Sequence, residues 1–238
     1  MNTIRSPKTR LAQFAVAALL TATCAASAYD YPVVEFEYPV AFQEPGWTQT
    51  IEIEQYDPPK YRTPMRAMEW ELQGAVGGSM GAENTDTGAS SEVTMTLSSL
   101  LELYDSDDTL ITSVEPTDSQ TVDLDAYDGD TNFSGPSGET VAVDGSESGA
   151  VKTFDSEVKD RYSGSGTINV TIDAAPADFT HDSTQGKDYE WEYQPTAGGT
   201  LVIRYTLPEP STFVLFLAAL VPTVLRRPTT TRGRNRNA

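Results

Sequence analysis

The sequence predicts an all-β chain, an antiparallel β-sandwich of the jelly-roll or immunoglobulin-like kind, flanked by an N-terminal signal helix and a C-terminal transmembrane helix. Three observations lead there. In the body of the chain, apolar residues recur at every second position, the period of a half-buried strand. Clusters of Gly, Pro, Asp, Asn and Ser, such as Asp128-Gly129-Asp130 and Gly135-Pro136-Ser137-Gly138, separate these runs. The two long apolar stretches, LAQFAVAALLTA and FVLFLAALVPTVL, lie outside that body, each beside basic residues.

In chain order, the first segment is 1–28. Arg5, Lys8 and Arg10 precede the first apolar stretch, and Ala26-Ser27-Ala28 follows it. A charged region, an apolar region and a small-residue site in that order make a secretory signal peptide, so signal peptidase is an expected partner and Ala26 and Ala28 mark its cleavage site. Cys24 is the only cysteine and would leave with this segment. The mature domain then has no disulfide, no thiol nucleophile and no thiolate metal site.

The domain spans 29–207. Ile51 and Ile53 share one strand face while Glu52 and Glu54 share the other. The same alternation runs through Met68 to Leu72, Val93 to Ser98, Ile168 to Asp173 and Leu201 to Thr206. The stretch from Gly77 to Ser91 is poor in apolar residues and predicts a wide loop or a solvated hairpin. The run Phe179 to Ser183 also predicts a loop. No useful amphipathic helix and no internal repeat stand out, so short strands joined by turns are the expected architecture.

Charge narrows the function classes. The chain has net charge −19, and residues 29–207 hold 34 acidic against 8 basic residues, net −26. Such a field repels nucleic acid and anionic headgroups and keeps the domain soluble. No phosphate loop, dinucleotide fingerprint or basic nucleic-acid patch is present.

Catalytic chemistry is thin. His181 is the only histidine, and no nucleophile elbow accompanies it. Glu52/Glu54, Glu69/Glu71 and Glu190/Glu192 are i, i+2 pairs with Cα atoms about 6.6 Å apart on a strand. That spacing suits a glycosidase pair, but it arises anywhere two acids flank one residue. The chain is therefore not expected to be an enzyme, and no catalytic residue is assigned; a carboxylate-based hydrolase is the least favoured reading. Tyr189, Trp191 and Tyr193 in YEWEY line one strand face, either as a carbohydrate-binding stripe or as core packing. Asp123, Asp125, Asp128 and Asp130 could supply hard oxygen ligands for a weak Ca²⁺ site, although the EF-hand register fails. No other cofactor is expected.

The last segment is 208–238. Phe213 to Leu225 carries no charge and Arg226-Arg227 follows at once. Positive residues stay on the cytoplasmic side, so the acidic domain would be translocated and the tail held in the membrane. Pro208-Glu209-Pro210, the apolar stretch and the arginine cluster resemble the PEP-CTERM sorting signal of bacterial exosortase systems. The resemblance implies recognition by a membrane-embedded sorting enzyme and cleavage near Pro-Glu-Pro.

The body resembles a family as well. GWTQTIEIEQYDP, YDGDTNFSGPSGET, YSGSGTINVTI and TAGGTLVIRYTL resemble, in order, segments of the choice-of-anchor E domain. Pro58-Pro59-Lys60-Tyr61 departs from that family's usual turn. Together the two resemblances imply an exported bacterial protein, passing through an inner-membrane anchor to the cell surface or extracellular matrix. There it would act structurally or adhesively in a polysaccharide layer or biofilm, without nucleic-acid partners. The alternative is a carbohydrate-binding module.

Overall fold

Alternation of apolar and polar residues gives strands one buried face, and here those faces meet in two layers. The computed structural model describes residues 32–184 and 188–208. Residues Val33–Leu207 form one unit. Its described elements are β1 (Val33–Gln43), β2 (Trp47–Glu54), α1 (Pro58–Tyr61), β3 (Ala67–Asn84), β4 (Ser91–Ser98), β5 (Leu101–Tyr104), β6 (Leu110–Val114), β7 (Thr117–Leu124), β8 (Gly138–Thr153), α2 (Ser156–Arg161), β9 (Thr167–Ala174), β10 (Asp178–Ser183) and β11 (Tyr189–Thr206). The described part of the chain is mostly β-strand and its sheets are antiparallel, arranged in a sandwich-like way.

One layer is a single sheet of order β1-β11-β3-β8. Its centre is the long β3–β11 ladder, running from Ala67 opposite Thr206 to Asn84 opposite Tyr189. The other layer is two sheets, β2-β9-β5-β6 and β10-β4-β7. These correspond strand for strand: β9 leads into β10, β4 into β5 and β6 into β7. The breaks fall at Ser99-Leu100, at Glu115-Pro116 and at residues 175–177. Pro116 and Pro176 have no N–H to give a ladder, so pairing stops there. Backbone bonds still stitch the line, from Ser99 N–H to Pro116 O at 3.3 Å and from Ala175 N–H to Leu100 O at 2.9 Å.

Each half has its own core. Ile51, Ile53, Leu72, Leu103, Ile172 and Ile203 pack with the buried Tyr56, Tyr162 and Tyr205. Met80, Val93, Met95, Leu97, Val122 and Val143 form the second cluster. Between them the layers pinch together at Gly74, where an added Cβ would lie 2.6 Å from Val114 Cγ2.

Two expectations are corrected. Gly77 to Asn84 is not a loop but the second half of β3, paired with β8 on one side and β11 on the other. Its inward positions Val76, Met80 and Ala82 carry the core, and small residues suffice outside. Phe179 to Ser183 lies in β10, an edge strand paired with β4. The diproline turn is α1, where Asp57 caps the helix and a proline sits in its first turn. Among the described residues no helix is long and apolar enough to cross a membrane. The expected signal and transmembrane helices lie outside the described residues.

Candidate functional site

The strand face of YEWEY sits where the sandwich would otherwise be open. β1 pairs with β11 only from Ala197 onward, so residues 189–196 form a sheet edge on that side. β10 is the matching edge of the opposite layer. Aromatic rings close the gap between them. Tyr193 lies flat on Phe179, with centroids 4.9 Å apart and planes at 9°. Trp191 stacks on His181 at 4.1 Å and 19°. Tyr189 tilts against Trp191 at 5.3 Å and its hydroxyl contacts Ser91 Oγ at 2.6 Å. Tyr189 and Trp191 are half-buried against the second core, whereas Tyr193 is 49% exposed. The three predicted rings are thus together, with Tyr193 the one turned to solvent. Phe179 and His181 complete the seam, and the spacing Phe-x-His was the only sign of them in the sequence.

The carboxylate pairs lie on strands rather than in a cleft. Glu69 and Glu71 share Arg204 with Glu35, because β1, β11 and β3 are neighbours and Glu35, Arg204 and Glu69 stand in register. Lys152 on β8 adds a bond to Glu69 at 3.4 Å. Glu71 is held below the usual carboxylate range, first by the Gln73 amide and then by Arg204. Both effects favour the anion and oppose proton transfer. Glu192 accepts from the Thr140 hydroxyl at 3.1 Å. Glu52 borders a broad open depression of about 600 Å³ with Asp105, Asp108 and Asn169.

The four aspartates are all exposed and do not converge. Asp123 and Asp125 border a second depression of about 300 Å³ beside Glu92. Asp128 instead accepts from Asp130 N–H at 3.0 Å, and Asp130 accepts from the Asn132 amide at 3.2 Å. Among the described residues no group of three or more His, Cys, Asp or Glu is placed to hold a metal ion.

The loop that carries Asp125, Asp128 and Asp130 is organised by a residue the sequence did not single out. Glu83 is fully buried. Its carboxylate accepts from Ser137 Oγ at 2.6 Å, Phe133 N–H at 2.8 Å and Asn132 N–H at 3.3 Å. Gly138 leaves room for it, since a Cβ there would lie 2.1 Å from Glu83 Oε2. Asn84 continues the clasp by donating to Asp125 O at 2.7 Å and Ala89 O at 2.9 Å. Buried polar groups need such partners, so the Phe-Ser-Gly-Pro-Ser-Gly segment is structural in this arrangement.

Of the sorting residues, Pro208 is half-buried just beyond β11. Ala26, Ala28, Glu209, Pro210, Arg226 and Arg227 lie outside the described residues.

No family model matches the chain, and no curated protein matches it. Among solved structures it is similar to the infectious bursal disease virus Gx strain, with 14% identity over 76% of this chain and 33% of that chain, at a TM-score of 0.17. It is also similar to an infectious bursal disease virus VP2 subviral particle, with 8% identity over 80% of this chain and 48% of the other, at a TM-score of 0.15. The chain therefore spans between a third and a half of the length of these structures. Superpositions this loose carry no argument about function.

Proposed function

We propose that this is an exported bacterial surface or extracellular-matrix protein, sorted through its C-terminal segment by an exosortase-type enzyme. Its domain would be a non-catalytic, jelly-roll or immunoglobulin-like sandwich that coats or adheres within a polysaccharide layer. The observation that carries this reading is the order Pro208-Glu209-Pro210, the uncharged run Phe213 to Leu225, then Arg226-Arg227. The apolar run would be the transmembrane helix that holds the chain until processing. The charge of the domain suits a solvated exterior. Carboxylates bonded to arginine on an open sheet face suit a structural role better than hydrolysis.

The test is the intact mass and C-terminal peptide of the protein recovered from its native cells, with membrane and secreted fractions kept apart. Chains that end between Pro208 and Pro210 and leave the membrane support sorting. Membrane-bound chains that retain residues 226–238 reduce the tail to a plain anchor and overturn it.

A second reading is favoured by Tyr193. Its exposed ring, backed by Phe179, is a platform on which a sugar face could stack. In that reading Trp191 positions the platform through His181 and Tyr189. Glycan-array binding lost in Tyr193→Ala, with melting unchanged, would support it. No glycan hit for the parent protein removes it.

A further inference from the structure

The half of the sandwich that carries the aromatic seam has charge of one sign. It is built from β4, β7 and β10 in one layer and from the paired halves of β3, β8 and β11 in the other. Residues 77–98, 117–146, 178–183 and 188–196 hold three, seven, two and three acids in turn, and no lysine or arginine. Lys187, between the last two segments, lies outside the described residues. Of these acids only Glu83 is buried. The rest face solvent in whole or in part, with no base among the described residues of this half to offset them.

The seam runs through the middle of this field. Successive side chains of a strand point to opposite faces. Tyr189, Trp191 and Tyr193 on β11 therefore point inward, towards Phe179 and His181 on β10, while Glu190 and Glu192 point to the outer face of their layer. Asp178 and Asp182 do the same on the other layer, because they alternate with Phe179 and His181. Carboxylates thus rim the rings on both sides. Phe179 lies flat against one face of Tyr193, and the tyrosine is still 49% exposed, so its other face is open.

We propose that the ligand of this seam is a polymer of amino sugars with free ammonium groups. One pyranose ring lies on the open face of Tyr193, and ammonium groups of that unit and its neighbours stand among Asp178, Asp182, Glu190 and Glu192. The inference rests on the reading of Tyr193 as a sugar platform and names the sugar class. An aromatic face accepts the apolar face of a sugar, and its negative quadrupole also attracts a cation held over it. The surrounding field selects among sugars. It repels a polymer bearing carboxylate or phosphate, and a neutral polymer gains nothing from it. A lysine-rich peptide answers the field but offers no flat ring to match Tyr193.

The test is calorimetric titration of the full chain, held in nonionic detergent at about pH 6, where exposed carboxylates stay ionised. The probes are glucosamine hexamer, N-acetylglucosamine hexamer and pentalysine. Glucosamine hexamer should bind most tightly, and more weakly as salt screens the field. Tyr193→Ala should weaken it about two- to fivefold, the worth of an exposed cation–π contact. Tyr193→Leu, which keeps an apolar cover on Phe179, should show the same loss without a change in melting. Glu190→Gln with Asp178→Asn should weaken the glucosamine hexamer and flatten its salt dependence. Equal binding of the N-acetylated hexamer, lost in Tyr193→Leu, overturns the ammonium class and leaves the platform standing. Equal binding of pentalysine and glucosamine hexamer, with Tyr193→Leu unchanged for both, reduces the effect to bulk charge and overturns the site. No binding of either sugar defeats the platform and the ammonium class together.

Discussion

Gly74 on β3 and Val114 on β6 touch across the layers so closely that a Cβ on the glycine would lie 2.6 Å from the valine Cγ2. Leu101 and Pro116 crowd the same point. Any side chain at 74 must therefore push the layers apart between the two cores. Gly74→Val is expected to cost about 1–3 kcal/mol, the usual range for overpacking. Val114→Ala in the same chain should recover part of that loss. Urea denaturation of both single variants and the double variant measures the coupling.

Glu83 holds the 125–137 loop with three accepted hydrogen bonds in a fully buried position. Glu83→Ala leaves Ser137 Oγ and two backbone N–H groups without that acceptor. The expected loss is about 3 kcal/mol, from bonds to a charged group and the orphaned donors. Glu83→Gln keeps one carbonyl acceptor and should lose less. Hydrogen exchange at Phe133, followed by mass spectrometry, should accelerate in the alanine variant before global unfolding does.

Arg204 on β11 joins three glutamates from the two strands that flank it, Glu35 of β1 and Glu69 and Glu71 of β3. The group is partly exposed, so screening keeps its worth to about 1 kcal/mol at neutral pH. Glu71 has a folded pKa below its ordinary 4.5, so it binds a proton less readily folded than unfolded. Its contribution is present above that value and disappears as pH falls through the lowered folded pKa. Arg204→Met should reduce the steepness of the stability loss below about pH 4.5. An unchanged acid limb in denaturant titrations would show that Gln73 alone sets the shift.

The tyrosines set the alkaline limit. Burial pushes the Tyr162 hydroxyl up to about 12, and pushes Tyr205 higher still, while the Tyr205 hydroxyl donates to Glu54 O at 2.7 Å. Both bind their protons more tightly in the fold than in the unfolded chain, where the value is near 10.0. Their contribution is full below that value and is lost as pH rises through the folded pKa. Absorbance at alkaline pH should show Tyr162 and Tyr205 ionising only as circular dichroism is lost.

Strands that bury one whole face were readable in the sequence, because alternation at Ile51/Ile53 or Met95/Leu97 reports the core directly. The second half of β3 was not, since Gly77 and Gly81 resemble turn residues until partners on both sides are known. β10 was missed for a related reason: an edge strand needs few apolar residues, and only Phe179 on it packs on the core. The YEWEY face was legible, but the strand across from it was not, since period two gives the direction of a ring and not its neighbour. Glu83 and Arg204 were invisible because their partners lie far along the chain, Ser137 in a loop and Glu35 in another strand. Local patterns do not encode which strands become adjacent.

The placement of β11 has a mechanical consequence. It is an interior strand, laddered to β3 along its whole length and to β1 along its latter part. Tension entering through Leu207 along the strand therefore runs perpendicular to two sets of backbone hydrogen bonds and loads them together, in shear. Tension applied between Val33 and Thr206 instead opens the β1–β11 ladder one pair at a time, as a zipper. The domain would bear load from its C-terminal side far better than between its two ends.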